Sequence, residues 1–403
     1  MQPARRLEEI KPAILSLITH KMARLRAQGR EVVNLGIGEP DCDTPDHIKL
    51  AAIKAILDGK TKYTPAEGTA ALRQAIVAKF LRDNRLSYAA NQILVSCGGK
   101  HSIANMMQAV LDPGDEVIIP APYWPSFPEI VLLAGGRPVF VPCDSDSGYK
   151  LTARQLAAAL TPRSKVLILN SPSNPTGAMY TAEELRALGQ VLAPTDVCVL
   201  SDDVYEKIVF KGNTFCNLPM VLPQFEDRTV IVNAVSKTYA MTGWRIGYAA
   251  GPAHIIAAMA TVQAQSTTCA CSVSQAAAEA ALSGDQHCIT PMVRAFEKRR
   301  NFVVQALNTL PGVRCLSCEG AFYAFAEVSE LLLRLADNGR LRSPSDVEFA
   351  EYLLEEGGIS LVPGSAFGLA GHIRISFATS MATLRGAMTV VARLLKRDLR
   401  AAA

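Results

Sequence analysis

The 403-residue chain has no uninterrupted apolar run of the roughly 18 residues needed to span a bilayer; the stretch 191–200 is broken by Pro194, Thr195 and Asp196. A transmembrane helix is therefore not expected. It also lacks any long run of one charge. Its 41 basic residues against 37 acidic ones leave +4, too weak and too dispersed for a dedicated nucleic-acid or polybasic membrane protein. The first thirty residues mix Arg5, Arg6, Glu8, Glu9, Lys11 and Lys21 with apolar residues and carry no signal-peptide centre or cleavage site, so a cytoplasmic protein is expected. No internal repeat or low-complexity tract interrupts the sequence, and residues 401–403 read as a fraying end. The ten cysteines are scattered without the dense framework of a small secreted domain, so reduced, buried thiols are expected. Cys315 and Cys318 have zinc-ribbon spacing, but no second CxxC or paired-histidine site accompanies them, and no metal site is expected.

What the sequence does have is the makings of a large folded body. Apolar residues make up 49% and charged ones 19%, which excludes global disorder. At about 150 residues per domain the length suits two to three domains, or one large α/β unit with a satellite. From residue 90 onward, short apolar runs alternate with helical patterns, predicting strands at 93–95, 116–120, 138–141, 165–169, 197–201, 229–232 and 246–250. Helices are predicted at 100–111, 182–192 and 253–263. This is the grammar of an α/β fold: a seven-stranded, mostly parallel sheet with helices on both faces. After about residue 284 come a long charged helix at 292–310 and strand-like pieces at 322–327 and 373–376, which read as a smaller α+β domain. The expected organisation is a segment 1–45 packing with the small domain, a large domain 46–283 and a small C-terminal domain 284–403.

The chemistry concentrates after the strands. Lys237 lies between two predicted strands in Ser236-Lys237-Thr238-Tyr239, where lost hydration would favour the neutral amine and make it a candidate Schiff-base nucleophile. Asp202 ends an apolar run, where open α/β sheets place ligands, and Tyr205 follows three residues on. The prolines and glycine around Asn174 force a turn that presents its amide. Ser96-Cys97-Gly98-Gly99-Lys100 joins a strand to a helix start, where bare backbone amides and the positive helix end can hold a phosphate, and Ser236 and Arg245 can complete the cup.

Phosphate cup, ring acid, phenolate partners and amine together describe a site for pyridoxal 5′-phosphate. With Gly36-Ile37-Gly38-Glu39-Pro40-Asp41, Lys62-Tyr63-Thr64-Pro65, Pro122-Tyr123-Trp124, Ser173-Asn174-Pro175-Thr176-Gly177, Ser201-Asp202-Asp203-Val204-Tyr205, the Lys237 segment and Arg374-Ile375-Ser376, the chain resembles the class I aminotransferases of fold type I. The similarity is to the bacterial aspartate and prephenate aminotransferase branch, and it runs from about residue 5 to residue 395.

That resemblance implies an αβα-sandwich fold and ping-pong transfer of an α-amino group, with aspartate or glutamate the expected donor, to a 2-oxo acid. It implies that Lys237 is catalytic and that Asp202 pairs with the ring nitrogen. Tyr205 and Asn174 are expected on the ring oxygen and Trp124 on the ring face. Gly99, Lys100, Ser236 and Arg245 are expected around the phosphate, together with a Tyr63 contributed across a homodimer. Arg374 and Gly38 are expected at the substrate α-carboxylate, with Asn174 and Trp124 also lining the substrate, and Lys100 at a distal carboxylate. Prephenate is the alternative acceptor; its ring needs room from the segment 5–13. A specialised biosynthetic aminotransferase, a β-lyase and a decarboxylase use the same catalytic set. A ligand-sensing regulator would need a DNA-binding module, for which the segment before Gly36 is short. His101 reads as a neighbour of the site, and Phe322, Tyr323 and Phe367 as pocket wall or core.

Overall fold

The computed structural model describes residues 2, 4–10 and 14–400; the end at 401–403 and part of the segment 5–13 lie outside the described residues. Seven strands build the main sheet: β1 (Ile93–Ser96), β2 (Glu116–Ala121), β3 (Arg137–Pro142), β4 (Ser164–Asn170), β5 (Cys198–Asp202), β6 (Thr229–Ala234) and β7 (Gly247–Ala250). Their order is β1-β7-β6-β5-β4-β2-β3. Only β7 runs antiparallel to its neighbours; the other pairs are parallel.

The inner strands are continuous apolar runs because both faces are covered. Side chains alternate between the faces. Leu94, Val117, Ile119, Ile168, Leu200, Val232 and Ala249 pack with residues of the helices Gly99–Val110, Ser126–Leu133 and Ala253–Ser266. Ile93, Val95, Ile231, Tyr248 and Ala250 pack on the opposite face with the helices Asp46–Leu57, Ala70–Asn84 and Ser272–Ser283. Ile118, Leu167, Leu169 and Val199 continue that second face against the helix Ala182–Leu192. The edge strand β3 is partly exposed and carries Pro138 and Pro142, which suit an edge because they cannot donate to a further strand.

A second sheet, of four antiparallel strands, comes from the C-terminal part: β8 (Arg314–Cys315), β9 (Tyr323–Glu327), β10 (Val362–Pro363) and β11 (His372–Ser376), in the order β10-β11-β9-β8. Two strand-like pieces were expected here. The outer two strands are two residues each, too short to leave a periodic trace. Val33–Asn34 pairs in parallel with Ile359–Ser360, tying the N-terminal segment to this region. One apolar cluster joins Leu35, Tyr205, Ile208 and Phe210 to Phe322, Tyr323, Phe349 and Phe377, so the segment after β5 packs into the same core as the smaller sheet.

The cysteine expectation needs correction. All ten are free, but only Cys143, Cys315 and Cys318 are buried, while Cys42 and Cys271 are exposed. Cys42 lies in an irregular loop and Cys271 precedes a helix start, positions that sequence spacing does not mark as outward-facing.

Beneath the segment after β5 lies a buried ion pair between Lys79 and Glu206. Asn84 braces it, accepting from Lys79 Nζ at 2.7 Å and donating to Glu206 Oε2 at 2.9 Å. Removing one partner strands the other charge without water. Lys79→Met is therefore expected to destabilise the protein by about 3–5 kcal/mol in urea unfolding, and a loss below about 1 kcal/mol would contradict this role.

Candidate active site

Parallel strands deliver their last residues to one edge of the sheet, and open α/β sheets place ligands beyond that edge. Asn170 ends β4 and stands opposite Asp202, which ends β5. After β6 the chain enters a short helix, Val235–Thr238, that carries Ser236 and Lys237. Because β7 runs the other way, its start lies at the same edge, where Gly247 pairs with both Ser96 and Ala234. Arg245, two residues before Gly247, is thereby brought to the edge. A Cβ on Gly247 would lie 2.2 Å from the Gly99 nitrogen, so this close approach of strand to helix start requires glycine.

A cavity of about 270 Å³ opens at this edge, lined by Gly38, Gly99, Lys100, Trp124, Asn174, Asp202, Tyr205, Ser236, Lys237, Arg245 and Arg374. Every residue singled out from the sequence as a site residue lines it except Tyr63. Tyr63 is 90% exposed and borders a separate surface hollow with Lys60, Lys62 and Ser272. Gly36, Asn170, Thr242 and Tyr323 also line it, with the apolar Ile103, Val204 and Ala234. Tyr323 fits its reading as pocket wall, Gly36 stands inside the first motif, and Asn170 and Thr242 are additions that the structure makes.

The electrostatics follow from lost water. Lys237 donates through Nζ to the Gly38 carbonyl, and burial brings its pKa down to about 8, with Glu39 and Asp202 opposing and Arg374 and Arg245 reinforcing that shift. Burial likewise lifts Asp202 to about 7, only partly offset by the Val204 N–H and by Lys237. Tyr205 is buried, with its hydroxyl 2.8 Å from that of Tyr323. Asn170 accepts from the Asn174 N–H at 2.8 Å and donates to the Asp202 carbonyl at 3.0 Å, locking the Asn174 turn to the end of β5.

Arg374, on β11, is 3% exposed. It donates to Asn174 Oδ1 at 2.8 Å and to the Gly36 carbonyl at 2.6 Å, and lies over the rings of Tyr323 and Phe367 at 4.4 and 4.9 Å. Its Nε has no hydrogen-bond partner, and among the described residues no carboxylate pairs with it. A buried guanidinium without a counter-charge, facing a cavity, has the charge and fork geometry that a carboxylate would match.

At the other side, Gly98 and Gly99 open the helix Gly99–Val110. The amides of Gly99 and Lys100 belong to its first turn, where no preceding helical carbonyl serves them. Arg245, in the left-handed region at φ 57°, closes over Gly98 so tightly that a Cβ there would lie 2.3 Å from Nη2. Ser236 adds a buried hydroxyl side chain. Lys100 places its ammonium 4.9 Å from the Trp124 ring centre, and burial and Arg245 lower its pKa. His101 accepts the Cys97 N–H through Nδ1 at 3.2 Å, an orientation that leaves it neutral, and it does not line the cavity.

The profile of the family described as aminotransferase class I and II matches residues 30–391. The chain belongs to the class I and II aminotransferases. It is 51% identical, over 98% of its length and all of the relative's, to an aspartate/prephenate aminotransferase of Nitrosomonas europaea. It is 47% identical to an aspartate aminotransferase of Rhizobium meliloti, covering 98% of this chain and 97% of that one. Among solved structures it is similar to the Rhizobium meliloti aspartate aminotransferase, with a TM-score of 0.93, 46% identity and 98% and 99% of the two chains covered. An aspartate aminotransferase of Thermus thermophilus with maleate follows at a TM-score of 0.91 and 40% identity, covering 98% of this chain and all of that one. The aminotransferase thus moves an amino group from an amino acid to a 2-oxo acid. No helix among the described residues is long and apolar enough to cross a membrane.

A lysine near pKa 8 is a better nucleophile at neutral pH than its surface counterparts. Reductive labelling of the unliganded aminotransferase with a small aldehyde should therefore modify Lys237 with a pH midpoint near 8, read by peptide mass. A midpoint at the ordinary lysine value of about 10.4 would contradict its burial.

Proposed function

We propose that this aminotransferase uses pyridoxal 5′-phosphate, takes aspartate or glutamate as amino donor, and works as a cytoplasmic homodimer. The uncompensated Arg374 guanidinium, sharing one cavity with Lys237 and Asp202, carries this reading. The donor set fits the cofactor: a first-turn amide pair, Ser236 and Arg245 for a dianionic phosphate, a buried carboxyl at Asp202 for the ring nitrogen, and the Tyr205 hydroxyl and Asn174 amide for the ring oxygen. When bound, the cofactor supplies a carbonyl carbon that takes up the amino nitrogen and a protonated ring that draws off the electrons left as the α-proton departs.

The remaining steps belong to the chain. Asp202 would hold a proton on the ring nitrogen, Tyr205 and Asn174 would hold the ring oxygen, and Trp124 would offer an aromatic face to the ring. Arg374 takes the substrate α-carboxylate as a two-pronged donor, exchanging the Gly36 carbonyl for a charged partner, with Gly38 beside it. Lys237 Nζ would take up and hold the proton leaving the substrate α-carbon, which its lowered pKa makes possible at neutral pH. Lys100, exposed and with its ammonium over Trp124, receives the distal carboxylate of a dicarboxylic substrate.

The division into 1–45, 46–283 and 284–403 suits this scheme, since Lys237 and Asp202 lie in the large part and Arg374 in the small one. The homodimer is supported by an exposed apolar stripe on the helix Asp46–Leu57, where Leu50, Ile53 and Leu57 are 62%, 52% and 80% exposed just ahead of Tyr63. Single monomeric soluble domains rarely leave such a stripe uncovered. In the dimer Tyr63 of the partner subunit completes the phosphate cup.

Transfer from L-aspartate to 2-oxoglutarate, assayed as oxaloacetate formed, tests the reading. Lys237→Ala should abolish turnover while leaving a folded protein; substantial residual rate would overturn the assignment of Lys237. Arg374→Ala should raise KM for aspartate by about a hundredfold, the worth of a buried charged pair, and an unchanged KM would contradict the clamp. The relative named aspartate/prephenate aminotransferase favours one second reading, that prephenate serves as acceptor. It is tested by replacing 2-oxoglutarate with prephenate in the same assay.

A further inference from the structure

Tyr323 opens β9 and sits where four residues of the site converge. Its hydroxyl is 2.8 Å from the Tyr205 hydroxyl. Its ring centre is 4.4 Å from the Arg374 guanidinium carbon. A Cβ built on Gly38 would lie 3.1 Å from its hydroxyl, so the phenol presses on the backbone whose carbonyl receives Lys237. Its side chain is 1% exposed and lines the cavity. In register it stands opposite Ser376 while Arg374 stands opposite Phe325, which puts Tyr323 one pleat away from Arg374.

Two buried phenols at hydrogen-bond distance share a constraint. Each carries one proton, so in their mutual bond one donates and the other accepts. If Tyr205 gives its proton to a ligand in the cavity, it can still accept from Tyr323 through its lone pairs. Tyr323 is then the group that fixes where the Tyr205 proton points, and a donor that itself accepts a hydrogen bond is strengthened.

We propose that Tyr323 is a positioning residue with two separable parts: its hydroxyl turns the Tyr205 proton toward the cofactor's ring oxygen, and its ring face holds the Arg374 guanidinium square to the substrate α-carboxylate. This rests on the proposed use of pyridoxal phosphate. Tyr205 drains charge from the ring oxygen, and the bound chromophore therefore releases its proton at lower pH. Without the Tyr323 hydroxyl, Tyr205 is a weaker and less directed donor, and the chromophore holds its proton to higher pH. The ring face acts on a different quantity, the affinity for the carboxylate, because it shields one side of a planar cation and limits its orientation.

The test uses holoenzyme of the wild type, Tyr323→Phe and Tyr323→Leu, with thermal midpoints to compare their folding. Absorbance is titrated against pH, and KM and kcat are measured with L-aspartate. Tyr323→Phe should move the absorbance midpoint up by about half a unit to one unit, the net worth of one hydrogen bond, and leave KM near the wild-type value. Tyr323→Leu should show the same upward movement and in addition raise KM by about 10- to 30-fold, as expected for a desolvated cation losing a ring face. A Tyr323→Phe titration that superimposes on the wild type overturns the role of the hydroxyl, and an unchanged KM in Tyr323→Leu overturns that of the ring. A wild-type protein that takes up no pyridoxal phosphate fails differently, because it overturns the cofactor reading itself before any variant is compared.

Discussion

The withdrawal of water from charged groups that no hydrogen-bonded counter-charge meets is the constraint on which the rest depends. Lys237, Asp202 and Arg374 share one cavity, and Asp202 and Arg374 are buried. Isolated charges in such surroundings are costly, and a chain selected for stability alone would neutralise or replace them. Here the cations are satisfied only by neutral groups: Arg374 by a carbonyl, an amide oxygen and two ring faces, Lys237 by a carbonyl. Under the proposed function the ligands would supply the missing counter-charges, and the cost of burying these groups would be returned as binding energy and shifted proton affinity.

The scaffold makes this tolerable by holding each group from a rigid element. Asp202 ends a central strand, Lys237 sits on the turn after its neighbour, and Arg374 belongs to a strand in the second sheet. The residues 36–44 bind these parts together. Gly36 and Gly38 offer the carbonyls that hold the two cations, Thr44 donates to the Ala240 carbonyl at 2.7 Å, and Thr242 donates to Glu39 at 2.9 Å. Asp41 pairs with Arg299 of the long helix Ile289–Asn308 at 2.7 Å. One irregular segment thus spans from the Lys237 turn to the C-terminal region. The single antiparallel strand matters for the same reason, since only a reversed β7 carries Arg245 to the edge where the parallel strands end.

Much of this was legible in the sequence. All seven strands of the main sheet stand within a residue or two of where apolar runs bounded by turn residues put them, because strands buried on both faces leave an unbroken signal. The pocket-lining members of the site were legible as motifs at strand ends. The short strands β8 and β10 were not, since two residues carry no period. Nor was the reversal of β7, which depends on pairing between Ile93 and Ala250, far apart in the chain. The role of Gly36 as a carbonyl acceptor, and the contact of Tyr323 with Tyr205, arise from the packing of the segments around residue 36 and after β5 on the smaller sheet, and residue type announces neither. The cysteines misled because burial of a small thiol is decided by which way its loop faces.

The central claim is that one cavity holds a cofactor amine acceptor, a dicarboxylic substrate and Lys237 together. It is tested most directly by an absorbance scan of the purified protein, supplied with pyridoxal phosphate, before and after adding L-aspartate with no oxo acid present. The account predicts a yellow protein that bleaches on adding aspartate, as the nitrogen passes to the cofactor and stays there. A protein that remains colourless after incubation with pyridoxal phosphate, or a yellow one that neither aspartate nor glutamate changes, would contradict it.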